Sequence, residues 1–214
     1  MIQSEFMSED WAEENLKTIR TLMERACQYR LVLAPISIIV GILGIVAATV
    51  TRLLGWSGSG QFAGYWMVVA VIVGGITLIL IRRQAMRGGE EFISAPAKRV
   101  AQSMAPLFVA GLGFGVLELC LPIAERDSIR LAGLWMISYG GGIHAAGFFM
   151  RRGLKLLGCL FIVLGIVCVA GNGLANAPWL DDSTAHWVMG GVFGLGNLLY
   201  GIYLKVTAEP LDAE

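Results

Sequence analysis

Charged residues are scarce in this chain, and the residue spacings that usually accompany metal or redox chemistry are missing. Only 15% of the 214 residues are Asp, Glu, Lys or Arg, whereas a soluble domain carries about 25%. The 16 basic residues balance the 16 acidic residues, which excludes a strongly basic nucleic-acid-binding domain. The four cysteines show no CxxC or zinc-type spacing, which excludes a disulfide-rich secreted fold and a structural zinc site.

Apolar residues are abundant instead. They make up 56% of the chain, together with 28 glycines. A membrane-spanning helix needs about 20 mainly apolar residues, and six stretches of about that length are free or almost free of charge. The sequence therefore predicts an all-α, polytopic membrane domain over residues 31–205. Its six transmembrane helices are expected at about 31–52, 62–82, 104–123, 131–150, 154–172 and 184–205.

The distribution of Lys and Arg predicts how these helices are oriented. The polar segments on one side of the predicted membrane hold 13 of the 16 basic residues, and those on the other side hold three. The richer side is expected to be cytoplasmic. We therefore predict a multi-pass protein of the cell (inner) membrane with both termini in the cytoplasm. Tryptophan prefers the membrane interface, and five of the six fall at the predicted outer ends: Trp56, Trp66, Trp135, Trp179 and Trp187.

An internal similarity suggests how the helices are paired. Gly64–Met67 matches Gly133–Met136 at an offset of 69 residues, and the same offset aligns Arg82–Arg83 with Arg151–Arg152. This predicts three helical hairpins, each starting in the cytoplasm. Two explanations stay open. The similarity reflects a true duplication, or it is a coincidence that arises because every helix favours Trp at its outer boundary and Arg at its inner boundary.

Glycine spacing predicts where the helices touch. Lipid is as apolar as leucine, so helices associate in a membrane through small residues that let the backbones approach closely. Glycines recur at helical spacing in three of the predicted helices: Gly111, Gly115, Gly140, Gly190, Gly194 and Gly201. We expect them to pack within the chain, with contact between two copies as the alternative.

A few polar residues inside the predicted spans are candidate binding groups. Glu118, His144 and Asn197 each lie three, four or seven residues from one of these glycines, so they are expected to face other helices. Ser37 and Thr77 lie at a depth similar to that of His144 and Asn197, which suggests a polar layer with His144 bonded to Asn197. Two interpretations stay open: structural hydrogen bonds and ion pairs, or a ligand or proton site.

For Glu118, the structural interpretation is an ion pair with Arg126, Arg130 or Arg52, or a protonated carboxyl group. The chain contains no Walker motif, HExxH, GxSxG or carboxylate dyad. No catalytic residue, metal ligand or cofactor is therefore predicted, and an enzyme is the least favoured class.

Residues 8–30 predict an amphipathic helix within a cytoplasmic segment, 1–30. Its first half is acidic and its second half basic, whereas a membrane-surface helix is usually basic along its whole polar face. We expect it to pack under the bundle or against a partner, with a position flat on anionic lipid as the alternative. Residues 206–214 are expected to form a cytoplasmic tail.

Two stretches carry a family resemblance. Asn15–Arg25, followed by Tyr29–Arg30 and Ala34–Pro35, resembles uncharacterised bacterial multi-pass membrane proteins, and so does His144–Gly153. The resemblance implies a six-helix inner-membrane protein and brings no known catalytic or binding residues.

Two functions follow as hypotheses. The first is a non-enzymatic sensor or interaction subunit whose segment 8–30 couples the bundle to a cytoplasmic protein partner. The second is a small transporter or ligand-binding bundle that uses Glu118 and the pair His144 and Asn197. A homo-oligomer is compatible with both, and the lipid bilayer is the one partner that both require.

Overall fold

The regular structure of the described residues is entirely helical. The computed structural model describes Asn15 and residues 33–56, 59–87, 95–122, 126–150, 152–175 and 182–207. The helices are α1 (Leu33–Leu53), α2 (Ser59–Arg87), α3 (Ala95–Cys120), α4 (Ser128–Ala146), α5 (Arg152–Ala175), α6 (Asp182–Met189) and α7 (Gly196–Val206). Apart from Asn15, the predicted amphipathic helix 8–30 lies outside the described residues, and so does the tail beyond Thr207.

Five helices are long and apolar enough to cross a membrane. These spans are Leu33–Leu53, Gln61–Gln84, Lys98–Cys120, Arg152–Gly171 and Thr184–Val206. Large apolar side chains such as Val71, Val109 and Val163 remain exposed on their outer faces. Apolar surface of this kind is unfavourable in water but is favourable in contact with lipid tails. The fold is therefore that of an all-helical membrane protein.

The predicted span at 131–150 is not among these five. The corresponding helix, α4, has 19 residues and includes Arg130, Ser138, three consecutive glycines and His144. It is also the helix with the most buried residues, since 11 of its 19 residues are buried. Its neighbours are mainly α3 and α5, with smaller contacts to α2 and α6. Because α4 faces protein rather than lipid, it does not need an uninterrupted apolar surface.

The last predicted span is not a single regular α-helix. Residues Gly190–Leu195 form a π-helical segment between α6 and α7. The N–H of Gly196 donates to the carbonyl oxygens of both Gly191 and Val192, which marks the return from the wider π turn to the α turn. Glycines at 190, 191, 194 and 196 make this stretch easy to distort because they add no side chains to the turn.

A glycine ends α1. Gly55 has φ +65°, its N–H donates to the Arg52 carbonyl oxygen, and the Trp56 N–H donates to that of Thr51. These two bonds define a Schellman motif, in which a left-handed residue closes the last helical turn. The chain can therefore reverse within a few residues between α1 and α2.

Contacts between the helix ends show that neighbouring helices run in opposite directions. The Tyr65 hydroxyl, near the start of α2, donates to the Ala47 carbonyl oxygen near the end of α1. Trp135, near the start of α4, donates from Nε1 to the Gly111 carbonyl oxygen in the second half of α3. We call this the aromatic end of the bundle: here α1, α3 and α5 end, and α2, α4 and α6 begin. The opposite end is called the basic end.

Glycines allow the backbones of several helices to touch. A Cβ atom on Gly140 of α4 would lie 2.7 Å from the Gly158 carbonyl oxygen of α5, and one on Gly158 would lie 2.6 Å from that of Gly140. A Cβ on Gly194 would lie 2.8 Å from the Ile45 nitrogen, and one on Gly201 would lie 2.7 Å from the Ile38 nitrogen. The π segment and α7 therefore lie directly on α1, and α4 lies directly on α5.

The other predicted packing glycines meet side chains instead. A Cβ on Gly190 would collide with the Cβ of Ala48 on α1. A Cβ on Gly115 would lie 2.8 Å from the Met67 sulfur, and one on Gly111 would make ordinary contact with Ser138 at 3.4 Å. By contrast, a Cβ on Gly64, Gly74, Gly75 or Gly113 would meet nothing within 4 Å.

Candidate functional site

Glu118 joins the end of α3 to the start of α4. Its side chain is buried, and Oε1 accepts a hydrogen bond of 2.6 Å from the backbone N–H of Asp127. Oε2 lies 3.5 Å from Nη2 of Arg130, whose side chain remains 44% exposed. Of the three predicted arginine partners, Arg130 lies within ion-pair distance of Glu118. The carboxylate therefore acts as a link between two helix ends.

The connection around Glu118 is stabilised by further polar contacts. Asp127 is the N-cap of α4, and its Oδ1 accepts from the Arg130 N–H at 2.9 Å. Arg126 donates from Nε and Nη2 to the carbonyl oxygens of Leu121 and Leu119, at 3.1 and 2.8 Å. These carbonyls belong to the end of α3, where no following turn can bind them. The cluster has the chemistry of a structural cap.

Asn197 lies at the start of α7, directly after the π segment. Its side chain is buried; Nδ2 donates to the Phe193 carbonyl oxygen at 2.7 Å, and Oδ1 accepts from the Tyr139 hydroxyl at 3.3 Å. A π turn disturbs the regular pairing of backbone carbonyls with amides. Asn197 thus stabilises the π segment through its Phe193 carbonyl oxygen and links it to α4.

Aromatic rings surround the Tyr139–Asn197 contact. The Tyr139 ring stacks on Phe108 of α3 with centroids 6.0 Å apart, and it packs against Phe161 of α5 at 5.1 Å and Phe193 at 5.0 Å. Phe161 is fully buried. This central cluster, Phe108, Tyr139, Phe161 and Phe193, brings three helices and the π segment together. A buried hydroxyl requires a partner in such surroundings, and Asn197 provides it.

His144 is placed at the basic end of α4 and faces α5. Its Nδ1 lies 3.2 Å from the Lys155 carbonyl oxygen and 3.4 Å from the sulfur of Cys159. The close approach of Gly140 and Gly158 brings the ring this near. Because a carbonyl oxygen only accepts hydrogen bonds, the contact with Lys155 favours the tautomer with a proton on Nδ1.

The predicted bond between His144 and Asn197 is not formed. The α4 residue that meets Asn197 is Tyr139, five residues nearer to the aromatic end, or about 7.5 Å along the helix axis. Ser37 is buried on α1, and Thr77 is half-buried on α2. Neither makes a side-chain hydrogen bond to another described residue. The four residues of the predicted polar layer therefore do not bond to one another within the described part of the bundle.

One buried polar pair was not expected from the sequence. At the aromatic end, Nε1 of Trp66 donates to Nδ1 of His186 at 3.1 Å, and both side chains are buried. Phe62 packs edge-on to His186 with centroids 5.0 Å apart and stacks on Trp135 at 6.0 Å. The sequence placed these tryptophans at the interface but did not indicate that they turn inward. Their position at the start of α2 and α4, which begin at the same end of the bundle as α6, is the signal from which the contact could have been inferred.

Within the described segments between Leu33 and Thr207, no three His, Cys, Asp or Glu side chains are grouped as a metal site would require. The described helices form a bundle that is held together by buried polar links and aromatic packing. Comparison with known protein families found no match, and comparisons with curated proteins and with solved structures found none either.

Proposed function

We propose that the chain crosses a bacterial inner membrane six times and that both termini lie in the cytoplasm. In this proposal, α4 crosses the membrane in addition to the five helices that are long and apolar enough to do so. At 19 residues, α4 is about 28 Å long, close to the roughly 30 Å thickness of the hydrocarbon core. Its neighbours α3 and α5 are both long enough to span. The three hairpins would then pair α1 with α2, α3 with α4, and α5 with the last helix.

Cysteine labelling tests this topology. Cys120 is exposed at the aromatic end of α3, and Lys205 is exposed at the basic end of α7. In a variant that lacks the other cysteines, a membrane-impermeant maleimide should label Cys120 in intact cells. A Lys205→Cys variant without native cysteines should react only after permeabilisation. Labelling of both from the same side would contradict the proposed orientation or the count of crossings.

The function we favour is that of a non-enzymatic sensor or interaction subunit coupled to a cytoplasmic protein through residues 8–30. The observation that supports it most is the use of Glu118 and Asn197: each bonds to backbone groups of the chain itself and links two elements. Side chains committed to holding the bundle together are less suited to binding and releasing a substrate. The contrast between the acidic and basic halves of 8–30 is typical of a protein-binding surface.

A pull-down experiment tests this function. Detergent-solubilised full-length protein and a variant without residues 1–28 would be compared by mass spectrometry of the captured proteins. We expect a cytoplasmic protein that is retained only by the full-length chain. A third protein keeps the full length but has the acidic residues Glu9, Glu13 and Glu14 replaced by Gln. It separates the effect of the acidic charges from the effect of removing the segment. Identical sets of captured proteins from all three would contradict the proposal.

A ligand-binding or transport function is the second candidate. The observation that favours it is the π segment next to Asn197, because π turns inside α-helices are frequent at functional sites. A panel of small metabolites would be screened for compounds that raise the melting temperature of the purified protein. A true ligand of this site should stabilise the wild type but not Asn197→Leu. Equal stabilisation of both proteins would show that the compound does not bind at the π segment.

A further inference from the structure

The two ends of the bundle differ in charge. The described acidic residues, Glu118, Asp127 and Asp182, all lie at the aromatic end. At the basic end the described residues include no Asp or Glu, but the following Lys and Arg residues: Arg82, Arg83, Arg87, Lys98, Arg99, Arg152, Lys155 and Lys205. Neither Arg152 nor Lys155 forms an ion pair with any described residue.

The turn between α4 and α5 holds one of these cations in a defined position. Nζ of Lys155 lies 3.9 Å from the centroid of the Phe148 ring, a cation–π contact. The Phe148 ring also packs against His144 in a T-shaped arrangement, with centroids 5.4 Å apart. A Cβ atom on Gly147 would collide with the Lys155 side chain, so glycine at this turn leaves room for it. The ammonium group is thus placed over the turn.

Exposed aromatic side chains lie beside the positive charges. Phe148 is 66% exposed and Phe149 57% exposed. The apolar span of α5 starts at Arg152, so this turn lies at the boundary between the hydrocarbon core and the headgroup region. At this depth a cation meets lipid phosphates while a neighbouring apolar ring meets acyl chains.

We propose that Arg152 and Lys155, together with Phe148 and Phe149, form a binding site for one anionic phospholipid. The two cations bind the headgroup phosphate, and the two rings contact the first part of the acyl chains. A lipid suits this surface better than an acidic protein segment, because only a lipid satisfies both the charges and the exposed rings at membrane depth. The site requires a membrane-embedded bundle but not a particular side of the membrane for the basic end.

Lipid titration of the full-length protein tests the site. Detergent-purified protein would be titrated with phosphatidylglycerol or with phosphatidylcholine of the same acyl chains, and the bound lipid counted by native mass spectrometry. The wild type should prefer phosphatidylglycerol. Arg152→Gln and Lys155→Gln should each weaken its binding about fivefold, the effect of one basic residue near an anionic surface. Lys155→Arg keeps the charge and should keep the preference.

Arg83→Gln is the matched control, because Arg83 is also exposed at the basic end but belongs to α2. It should change binding less than twofold. An equal loss in Arg83→Gln would overturn the proposed site, since it would show a diffuse attraction to the whole basic end. Absence of a preference in the wild type would also overturn it, and so would displacement of the bound lipid by an equal concentration of inorganic phosphate. Circular dichroism would verify that each variant is folded.

Discussion

Single polar side chains stabilise this bundle by linking different helical elements. Glu118 accepts from the N–H of Asp127, and Asn197 accepts from Tyr139 while donating to the π segment. Leaving a buried donor or acceptor without a partner costs about 1–3 kcal/mol. A sequence shows that such residues are present in apolar surroundings, but it does not show which of several nearby groups they bind.

Glu118 allows the contribution of the hydrogen bond to be separated from that of the ion pair. Glu118→Ala removes the acceptor of the Asp127 N–H, so we expect a loss of roughly 1–3 kcal/mol in the free energy of unfolding. Arg130→Gln should cost less than about 1 kcal/mol, because the Arg130 side chain is 44% exposed and water screens the pair. Glu118→Gln keeps an acceptor oxygen and should fall between them. Thermal or denaturant unfolding in detergent measures all three; a larger loss in Arg130→Gln than in Glu118→Ala would contradict this assignment.

At the scale of the helices, glycines have two different environments. Those at the α4–α5 contact and at the contact of α1 with the last helix face a neighbouring backbone, whereas several on α2 and α3 face open space. Sequence spacing alone marks both kinds. The distance to the neighbouring helix decides whether an added methyl group can be accommodated.

Alanine substitution should therefore have opposite effects at two positions. Gly140→Ala places a Cβ 2.7 Å from the Gly158 carbonyl oxygen and must push α4 away from α5. We expect a loss of about 1–3 kcal/mol or more in the free energy of unfolding, as for overpacked cores. Gly74→Ala has nothing within 4 Å of its Cβ and should be neutral or stabilise by up to about 1 kcal/mol through higher helix propensity. Equal losses of melting temperature in the two variants would contradict the packing.

Because of the π segment, we expect the last membrane span to tolerate the deletion of one residue. One residue fewer in Gly190–Leu195 would convert the wide turn to a regular α turn while α6 and α7 keep their faces. Deletion of Gly191, which is exposed and has open space around it, should thus give a folded protein. Deletion of Leu164 in α5 rotates all later residues by about 100° and should prevent folding. Size-exclusion profiles of fluorescent fusions measure this; comparable aggregation of both deletions would contradict it.

At the scale of the whole molecule, the central position of α4 explains why the number of spans predicted from the sequence differs from the number of apolar helices in the structure. A long stretch of high mean hydropathy marks a helix that faces lipid, and five helices satisfy that criterion. A helix surrounded by other helices meets protein dipoles and glycines instead, so it tolerates Arg130, Ser138 and His144. Its predicted boundaries also differ, because Gly147 ends the helix at Ala146 rather than at residue 150.

This position predicts a difference in autonomous membrane insertion. As isolated segments in a glycosylation-based insertion assay, Arg152–Ala175 should insert efficiently and Ser128–Ala146 should insert poorly. Arg130 and His144 each carry an insertion cost that only neighbouring helices offset. In the full chain, α4 should be protected from membrane-impermeant labels. Efficient insertion of the isolated α4 segment would contradict the view that its neighbours hold it in the membrane.

The amino-acid sequence by itself determined the helical class, the approximate limits of most helices and the concentration of basic residues at one end, because these follow from local apolar length and from charge order along the chain. Only the tertiary structure decided which polar groups meet. Tyr139 rather than His144 reaches Asn197, Trp66 turns inward to His186, and a π turn interrupts the last helix. These contacts depend on the axial shift and rotation of one helix against another. That geometry is set by close packing across the whole bundle, and no single segment encodes it.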